Sequence, residues 1–161
     1  MVVTENMLKW AIRLYPPLFF QRIWVKKFDK GFVGVHVKIS KSYFNINYNN
    51  SIFGGTIYSA SDPFYALLFD QILKRRGFKT RVWLKSASIM YLKPGHDNLY
   101  FKISLSEEDI QEAEEALHTV GKFIKAFPLE IVNKQGEVCA KVINEVYIRN
   151  LFKGEEHTIA Y

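Results

Sequence analysis

The feature that most constrains the fold is an apolar helical segment that begins close after two adjacent glycines. Residues 56–76 carry apolar side chains around nearly the whole helix, and the segment ends in a basic cluster followed by Gly77. Basic residues and a glycine are typical of helix C-termini. The basic residues complement the helix dipole, and glycine adopts the left-handed conformation in which many helices end. A helix without a polar face belongs in the interior of a domain. We therefore expect the rest of the chain to cover it.

The start of this helix is left open by the sequence. Asp62 followed by Pro63 is a favourable start, because aspartate can cap a helix and proline is tolerated in its first turn. Alternatively, the helix begins near Gly55, and Pro63 then removes one backbone hydrogen bond and bends it. Asp62 is the only acid between Asp29 and Asp70. It either caps a helix or takes part in chemistry.

Segments that alternate between apolar and polar residues predict strands on both sides of this helix. They are residues 32–39, 81–92, 99–105, 119–132 and 137–149. Residues 43–48 also alternate and lead into an asparagine-rich loop. In 81–92 we expect Ser86 and Ser88 to share a face with Leu84. The turn 133–136 predicts a hairpin, and Pro128 predicts a bulge or a sheet edge.

Helices are also expected outside this pattern. Residues 5–15 have helical periodicity, and the stretch 10–27 is basic and aromatic, which would suit a membrane surface. Pro16 and Pro17 divide the stretch, so a pair of short helices packed on the domain is the better interpretation. A further helix with an acidic first turn is expected after Ser106. We expect a helical extension over residues 1–28 and a core domain over 30–150.

The composition is that of one packed domain. The chain has 161 residues, of which 48% are hydrophobic and 16% aromatic, enough to bury a core. Its single cysteine, Cys139, excludes an internal disulfide and lies in a strand pattern, so we interpret it as a core residue and not as a nucleophile. The sequence shows neither a membrane-spanning run nor a signal peptide. We expect a cytoplasmic protein without stable membrane insertion.

The charge distribution favours anionic partners. The formal net charge is +6, and six of the sixteen acids lie between residues 107 and 115. The remaining surface is strongly basic and would attract nucleic acid, anionic lipid or a phosphorylated cofactor. Charge alone does not choose among these partners. We expect no nucleic-acid partner, because most aromatic residues fall on inward strand positions.

The loop before the helix is the best candidate for a ligand site. Gly54 and Gly55 have no side chains that would keep a carbonyl group away from the backbone N–H groups there. Asn47 and Asn50 lie just before them. Each feature also has a purely structural explanation, since asparagines are common in turns and glycines allow tight packing.

The order of these residues resembles that of a known family. The chain reads Asn47, Asn50, Phe53, Gly54-Gly55 and Asp62, followed later by Tyr91-Leu92-Lys93-Pro94. This is similar to the hotdog-fold acyl-CoA thioesterases of the phenylacetic-acid-degradation type, in particular to a bacterial branch with an N-terminal extension. Their usual pattern is Asn-x-x-Gly-x-x-His-Gly-Gly, an acid seven residues later, and a Tyr-Leu-(Lys/Arg)-Pro run. The resemblance covers residues 30–149.

The resemblance implies a fold, an assembly and a reaction. The fold is the α+β hotdog, in which a curved antiparallel sheet wraps around a long central helix, and it assembles as a homodimer or homotetramer. Asp62 would act as nucleophile or general base, and the N–H of Gly55 would polarise the thioester carbonyl. Asn47 would contribute from the neighbouring subunit. The candidates for substrate contact are Asn50, Phe53, Gly54, Ser86 and Ser88.

The chain departs from the family pattern at two positions. Phe53 stands where the family has histidine, and Asn50 stands where it has glycine. The loss of the histidine lowers the expectation of activity. The alternative function is therefore a non-catalytic binder of acyl chains, acyl-CoA or an acyl carrier. Ser86 and Ser88 are also explained simply as ordinary strand serines.

Coenzyme A would enter as part of the substrate, and we expect no separate cofactor. Its phosphates need cationic partners. The candidates are Arg75, Arg76, Lys79, Arg81 and Lys93, for which a solvated helix end is the alternative interpretation. We expect no metal site, because the four histidines are scattered without ligand spacing.

Overall fold

The computed structural model of the protein describes residues 3–152. The N-terminal part contains α1 (Glu5–Leu14), α2 (Pro16–Phe20), β1 (Ile23–Phe28), a 3-10 turn (Lys30–Phe32) and β2 (Gly34–Ile39). The remainder contains α3 (Gly54–Ser61), α4 (Pro63–Arg75), β3 (Thr80–Tyr91), β4 (Leu99–Ser104), α5 (Glu107–Thr119), β5 (Lys122–Val132) and β6 (Val138–Asn150).

The six strands form one antiparallel sheet in the order β1-β2-β4-β5-β6-β3. Strands β5 and β6 are the predicted hairpin. Their register continues unchanged through Pro128 and shifts between Ile131 and Val132. Within the described chain, β4 and β5 pair only between Tyr100 and Val132. Most of β5 therefore has no ladder partner on that side, which is where a proline is tolerated.

Helix α4 fills the interior of this sheet, as its apolar pattern predicts. Phe64, Leu68 and Phe69 are completely buried. The Phe64 ring lies 5.8 Å from that of Phe101 in β4, and the Phe69 ring lies 5.9 Å from that of Phe123 in β5. The helix thus bridges the two halves of the sheet where their pairing is weakest. The result is the predicted α+β architecture, a sheet wrapped around a central helix.

The central helix is broken at Asp62, and each alternative for its start is partly right. The helix begins at Gly54 and runs to Ser61, and a new helix begins at Pro63. Pro63 has no N–H with which to continue the hydrogen bonding of the first segment. Asp62 occupies the junction but makes no side-chain capping bond to α4. The structure thus gives no support to a capping role.

The N-terminal region differs from the prediction in one element. Residues 23–28 form strand β1, which pairs with β2, and are not part of a helical pair. A bulge between Val25 and Lys27 interrupts the alternation of this strand, so the sequence pattern does not predict it. Helices α1 and α2 form as predicted, on either side of the Tyr15-Pro16 boundary.

Residues 43–48 do not form a strand. They contribute only an isolated bridge between Ile46 and Ile52. The buried Asn45 side chain explains this, because its Nδ2 donates to the carbonyls of Gln21 at 2.8 Å and Ser40 at 2.9 Å. These bonds fold the segment back on itself, so it becomes a loop closed by side chains.

Strand β3 forms as predicted, but its faces change along its length. A register shift between Leu84 and Ser86 reverses the alternation. Leu84 is half-buried, whereas Ser86 and Ser88 are exposed. The expectation that these serines share a face with Leu84 is therefore wrong.

The acidic helix and the cysteine agree with the sequence. Ser106 and Asp109 form a reciprocal capping box at the start of α5, with N–H donors to side-chain oxygens at 3.0 and 3.1 Å. Cys139 is buried in β6. Both features follow from local pattern alone.

Candidate functional site

A cleft opens at the N-terminus of α3 and brings together the three segments of the predicted motif. It has a volume of about 350 Å³. Asn47 comes from the asparagine-rich loop, and Gly54 and Ile57 come from α3. Tyr91 is the last residue of β3, and Lys93 follows that strand. Segments more than thirty residues apart in sequence thus line one surface depression.

Two backbone donors at this helix end are available to a ligand. The N–H groups of Thr56 and Ile57 both donate to the carbonyl of Phe53, at 2.9 and 3.3 Å. Those of Gly54 and Gly55 come before the first helical bond and have no acceptor within residues 3–152. They carry the positive end of the helix dipole, so a carbonyl or anionic oxygen would be stabilised there.

Tyr91 fixes the position of Gly54. Its hydroxyl donates a 2.8 Å hydrogen bond to the Gly54 carbonyl. A Cβ at position 54 would lie only 3.1 Å from the Tyr91 ring, so glycine lets the ring pack closely here. Burial, and then the neighbouring Tyr58, raise the pKa of Tyr91 and keep it protonated as a donor. The sequence placed Tyr91 in a motif but did not indicate this role.

Phe53 lies against Gly55. A Cβ at position 55 would overlap the Phe53 ring, which is otherwise largely exposed to solvent. The residue that stands at the family's histidine position therefore covers the second glycine with an apolar ring. It brings no hydrogen-bonding group to the site.

The two asparagines organise the loop. The Oδ1 of Asn47 accepts from the backbone N–H of Asn49 at 3.0 Å and from the N–H of Ser51 at 3.2 Å. Asn50 has a φ of +55°, a left-handed conformation that asparagine adopts readily. The turn interpretation thus accounts for both residues. The Nδ2 of Asn47 has no acceptor in the described chain, and Asn47 lines the cleft.

Asp62 lies at the opposite end of α3 from the glycines. Seven residues separate it from Gly55, which corresponds to about 10 Å along a helix. Within residues 3–152 its carboxylate has neither a hydrogen bond nor an ion pair. The side chain is open to solvent on one side, yet burial on the other raises the pKa of Asp62. In one chain, Asp62 and the Gly55 N–H cannot act on the same carbonyl.

The helix break that carries Asp62 is held by two side chains. The hydroxyl of Ser61 donates to the carbonyl of Tyr58 at 2.7 Å. The Nδ2 of Asn144, a fully buried residue of β6, donates to the carbonyl of Ser61 at 2.9 Å. Sequence reasoning missed Asn144. The sequence does show a polar amide on the inward face of the predicted strand, between Val142 and Val146, and a buried amide needs a hydrogen-bond partner.

Four of the five basic residues proposed for coenzyme A do not line the α3 cleft. Arg75 stacks on Phe32, with 4.4 Å between the guanidinium carbon and the ring centroid. Arg76 pairs with Glu107 at 2.7 Å and Glu114 at 2.8 Å. Both lie at the far end of α4. Lys79 directly precedes β3, and Arg81 is the second residue of that strand.

Lys93 is the one member of the proposed set that lines the α3 cleft. Its ammonium group pairs with Glu137 at 2.6 Å, on a solvent-exposed part of the surface. The two serines lie elsewhere. The Ser86 hydroxyl is 3.4 Å from the Glu145 carboxylate, and Ser88 lines a separate cleft of about 380 Å³ beside Pro128.

The chain was compared with protein families and solved structures. A family described as "Domain of unknown function (DUF4442)" matches residues 4–148. A Pseudomonas aeruginosa protein described as a probable thioesterase is similar at 16% identity and a TM-score of 0.81, over 93% of this chain and 98% of that chain. A thioesterase of Haemophilus influenzae is similar at 12% identity and a TM-score of 0.68, over 94% of each chain.

The PaaI protein of the Escherichia coli phenylacetic acid degradation operon is similar at 14% identity and a TM-score of 0.59, over 91% of each chain. No curated protein matches the sequence. At these identities the solved structures establish the fold, and they confirm the predicted hotdog architecture. The match over residues 4–148 establishes the family, so the chain belongs to the DUF4442 family and has the hotdog fold.

Proposed function

We propose that the protein hydrolyses the thioester bond of an acyl-CoA, as a homodimer whose reaction centre lies at the subunit interface. One observation carries this proposal. Asp62 is held at a helix break without a hydrogen-bond or ion-pair partner in the described chain, and it does not cap the following helix. The carboxylate is therefore available as a base or nucleophile, and burial on one side raises its pKa, as is common for functional acids.

The reaction needs a base and a stabilised oxyanion. Asp62 takes a proton from water, which attacks the carbonyl carbon. Alternatively, its carboxylate attacks directly and forms an anhydride that water then cleaves. In both cases the carbon–sulfur bond breaks and the thiolate leaves and is protonated. The free N–H groups of Gly54 and Gly55 stabilise the negative charge on the carbonyl oxygen.

Dimerisation supplies the geometry that one chain lacks. In the described chain β3 pairs with β6 on one side only, and an exposed strand edge invites a twofold contact with a second copy. Tyr91 contacts Gly54, and Ala87 pairs with Asn144, which anchors the break at Ser61. Both ends of α3 thus lie beside the second half of β3. A twofold pairing centred there would bring Asp62 of one chain towards the glycines of the other, with Asn47 nearby.

The cleft and the similar structures both support an acyl-CoA or acyl-carrier substrate. Lys93 lines the cleft and can meet a phosphate of coenzyme A or of an acyl carrier. The solved structures described as thioesterases support thioester hydrolysis as the reaction class.

A panel of acyl-CoA substrates with a chromogenic thiol reagent tests the proposal. We expect Asp62→Asn to lower kcat by about a hundredfold or more, because a positioned base contributes at least that much. The matched control is Asp97→Asn, which changes an exposed aspartate of the turn before β4 and should leave kcat unchanged. A wild type that cleaves no substrate, or an Asp62→Asn variant that retains its rate, contradicts the proposal.

Phe53 favours a second candidate function, the binding of acyl chains without turnover. Its ring covers Gly55 with apolar surface, at the position where thioesterases of the phenylacetic-acid-degradation type have histidine. In this case acyl-CoA raises the Tm of the wild type although no thiol is released. Turnover that appears only in Phe53→His would then show that this one ring separates a binder from an enzyme.

A further inference from the structure

Helix α1 carries more apolar surface than the domain uses. Leu8 and Ile12 pack against the core, and no residue of the helix is fully buried. Met7, Trp10 and Leu14 follow one another at helical spacing on a second side, where all three are exposed, Leu14 by 68%. Helix α1 thus packs on the domain as predicted with one side and exposes a second apolar side to solvent.

The exposed apolar surface continues on α2 and on the loop that leads to the cleft. Helix α2 contacts both α1 and β1. Arg22 joins α2 to the loop, because its guanidinium lies 5.7 Å from the Phe19 ring and 4.9 Å from the Phe44 ring. Tyr43 beside it is 91% exposed. The N-terminal aromatic surface is defined here as Met7, Trp10, Leu14, Phe20, Tyr43 and Phe44.

The segment that carries most of this surface is basic. Residues 6–28 contain five basic residues and no acid. The cationic groups of Lys9 and Arg13 lie 5.2 and 5.0 Å from the centre of the Trp10 ring. Between Glu5 and Asp62 the one acid is Asp29, which pairs with Lys27 at 3.1 Å. The carboxylate of Glu5 accepts from the N–H of Gly31.

We propose that the N-terminal aromatic surface binds an anionic lipid bilayer and lies in its interface without crossing it. An amphipathic helix with aromatic and aliphatic residues beside lysine and arginine is the composition that such interfaces accept. Nucleic acid would use the cations and rings but not aliphatic side chains such as Met7 and Leu14. No helix in residues 3–152 is long and apolar enough to span a bilayer. The proposal does not depend on thioester hydrolysis.

Vesicle flotation with the full chain tests the proposal. We expect binding to vesicles of equal parts phosphatidylcholine and phosphatidylglycerol, little binding to phosphatidylcholine alone, and weaker binding as salt increases. Leu14→Glu should lower the partition constant for vesicle binding about tenfold, because it replaces an inserted apolar side chain by a charge. Lys9→Gln should lower it about fivefold, the effect of one cation near an anionic surface.

Val120→Glu is the matched control, because Val120 is 66% exposed and lies at the end of α5. It adds the same charge and should change binding little. Circular dichroism checks that each variant is folded. Three results would overturn the proposal: absence of vesicle binding by the wild type, equal losses in Leu14→Glu and Val120→Glu, or dissociation of the wild-type assembly by Leu14→Glu in size-exclusion chromatography, which would assign the surface to a second copy. Binding of single-stranded RNA that survives Leu14→Glu and displaces vesicles would assign the surface to nucleic acid instead.

Discussion

The Nδ2 of Asn144 donates a 2.9 Å hydrogen bond to the carbonyl of Ser61, across 83 residues of sequence. Asn144 is completely buried, and its Oδ1 has no hydrogen-bond partner in the described chain. Such an unpaired buried oxygen is costly. The contribution of this amide therefore comes from its Nδ2 donor, which holds the helix break just before Asp62.

We predict that Asn144→Asp destabilises the protein at neutral pH by about 2–4 kcal/mol, because a buried carboxylate without a donor would face the Ser61 carbonyl. At acidic pH the protonated carboxyl can donate again, so stability should recover as the pH falls. Asn144→Leu should cost less, since it removes the unpaired oxygen together with the donor. Urea unfolding at several pH values measures this, with Gln135→Leu in an exposed turn as control. Equal losses for the Asp and Leu variants at all pH values would show that the bond is unimportant.

The pH dependence of catalysis should report Asp62. Burial raises the pKa of Asp62 above its ordinary value. If Asp62 is the base, kcat/KM falls as the pH drops through this raised pKa, because the carboxylate becomes protonated. The midpoint of the acid limb should then lie above about 3.9. A pH–rate profile measures it. A flat profile down to the pH of acid unfolding would assign the base elsewhere.

The same pKa shift predicts an effect on stability with a definite sign. The folded chain binds the Asp62 proton more tightly than the unfolded chain does, so ionisation of this group favours unfolding. The penalty is absent below the ordinary aspartate pKa and develops as the pH rises through the raised value. We expect Asp62→Asn to be more stable than the wild type at neutral pH, with a difference that disappears near pH 3 or below. Thermal unfolding across this range decides it, with Asp97→Asn as control. A constant difference would mean that the carboxylate is not desolvated.

Local chemistry made part of this fold predictable. The apolar pattern around α4 indicated a central helix, Ser106 and Asp109 indicated a capped helix start, and residues 133–136 indicated a hairpin. Each depends on residues within a few positions of one another. Strand β1 was missed because it is only six residues long and a bulge between Val25 and Lys27 interrupts its periodicity. The faces of β3 were wrong after Leu84 for the same reason, since one inserted residue reverses every later side chain.

The candidate site was less predictable because long-range contacts decide which groups are free. Arg76 was a candidate phosphate ligand, but its guanidinium donates hydrogen bonds to two glutamates that lie 31 and 38 residues away in sequence. Asn144 is 83 residues from the carbonyl that it holds. The glycines and Asp62 followed from one motif, yet they lie at opposite ends of α3. Sequence spacing therefore identified the residues but not which atoms can meet.

Lys93 and Glu137 should control the affinity for a phosphorylated substrate. Their 2.6 Å ion pair raises the pKa of Lys93 and satisfies its charge. We predict that Glu137→Gln lowers KM for acyl-CoA, because it frees the ammonium group for a phosphate, and that Lys93→Gln raises KM. Both effects should weaken with salt. Arg76→Gln is the control, since Arg76 lies at the far end of α4, and an effect on KM there would relocate the coenzyme A site.

The contact between Phe53 and Gly55 should be visible as an energetic coupling. Gly55→Ala places a Cβ where the Phe53 ring now lies, so the ring must move outward. Because Phe53 is largely exposed, we predict a small loss of stability, about 1 kcal/mol, which disappears when Phe53→Ala is added. A double-mutant cycle by urea unfolding measures the coupling. The same cycle with Tyr91→Phe in place of Phe53→Ala is the control, because Tyr91 contacts Gly54 and not Gly55. Additive losses in the first cycle would show that the ring does not lie against the second glycine.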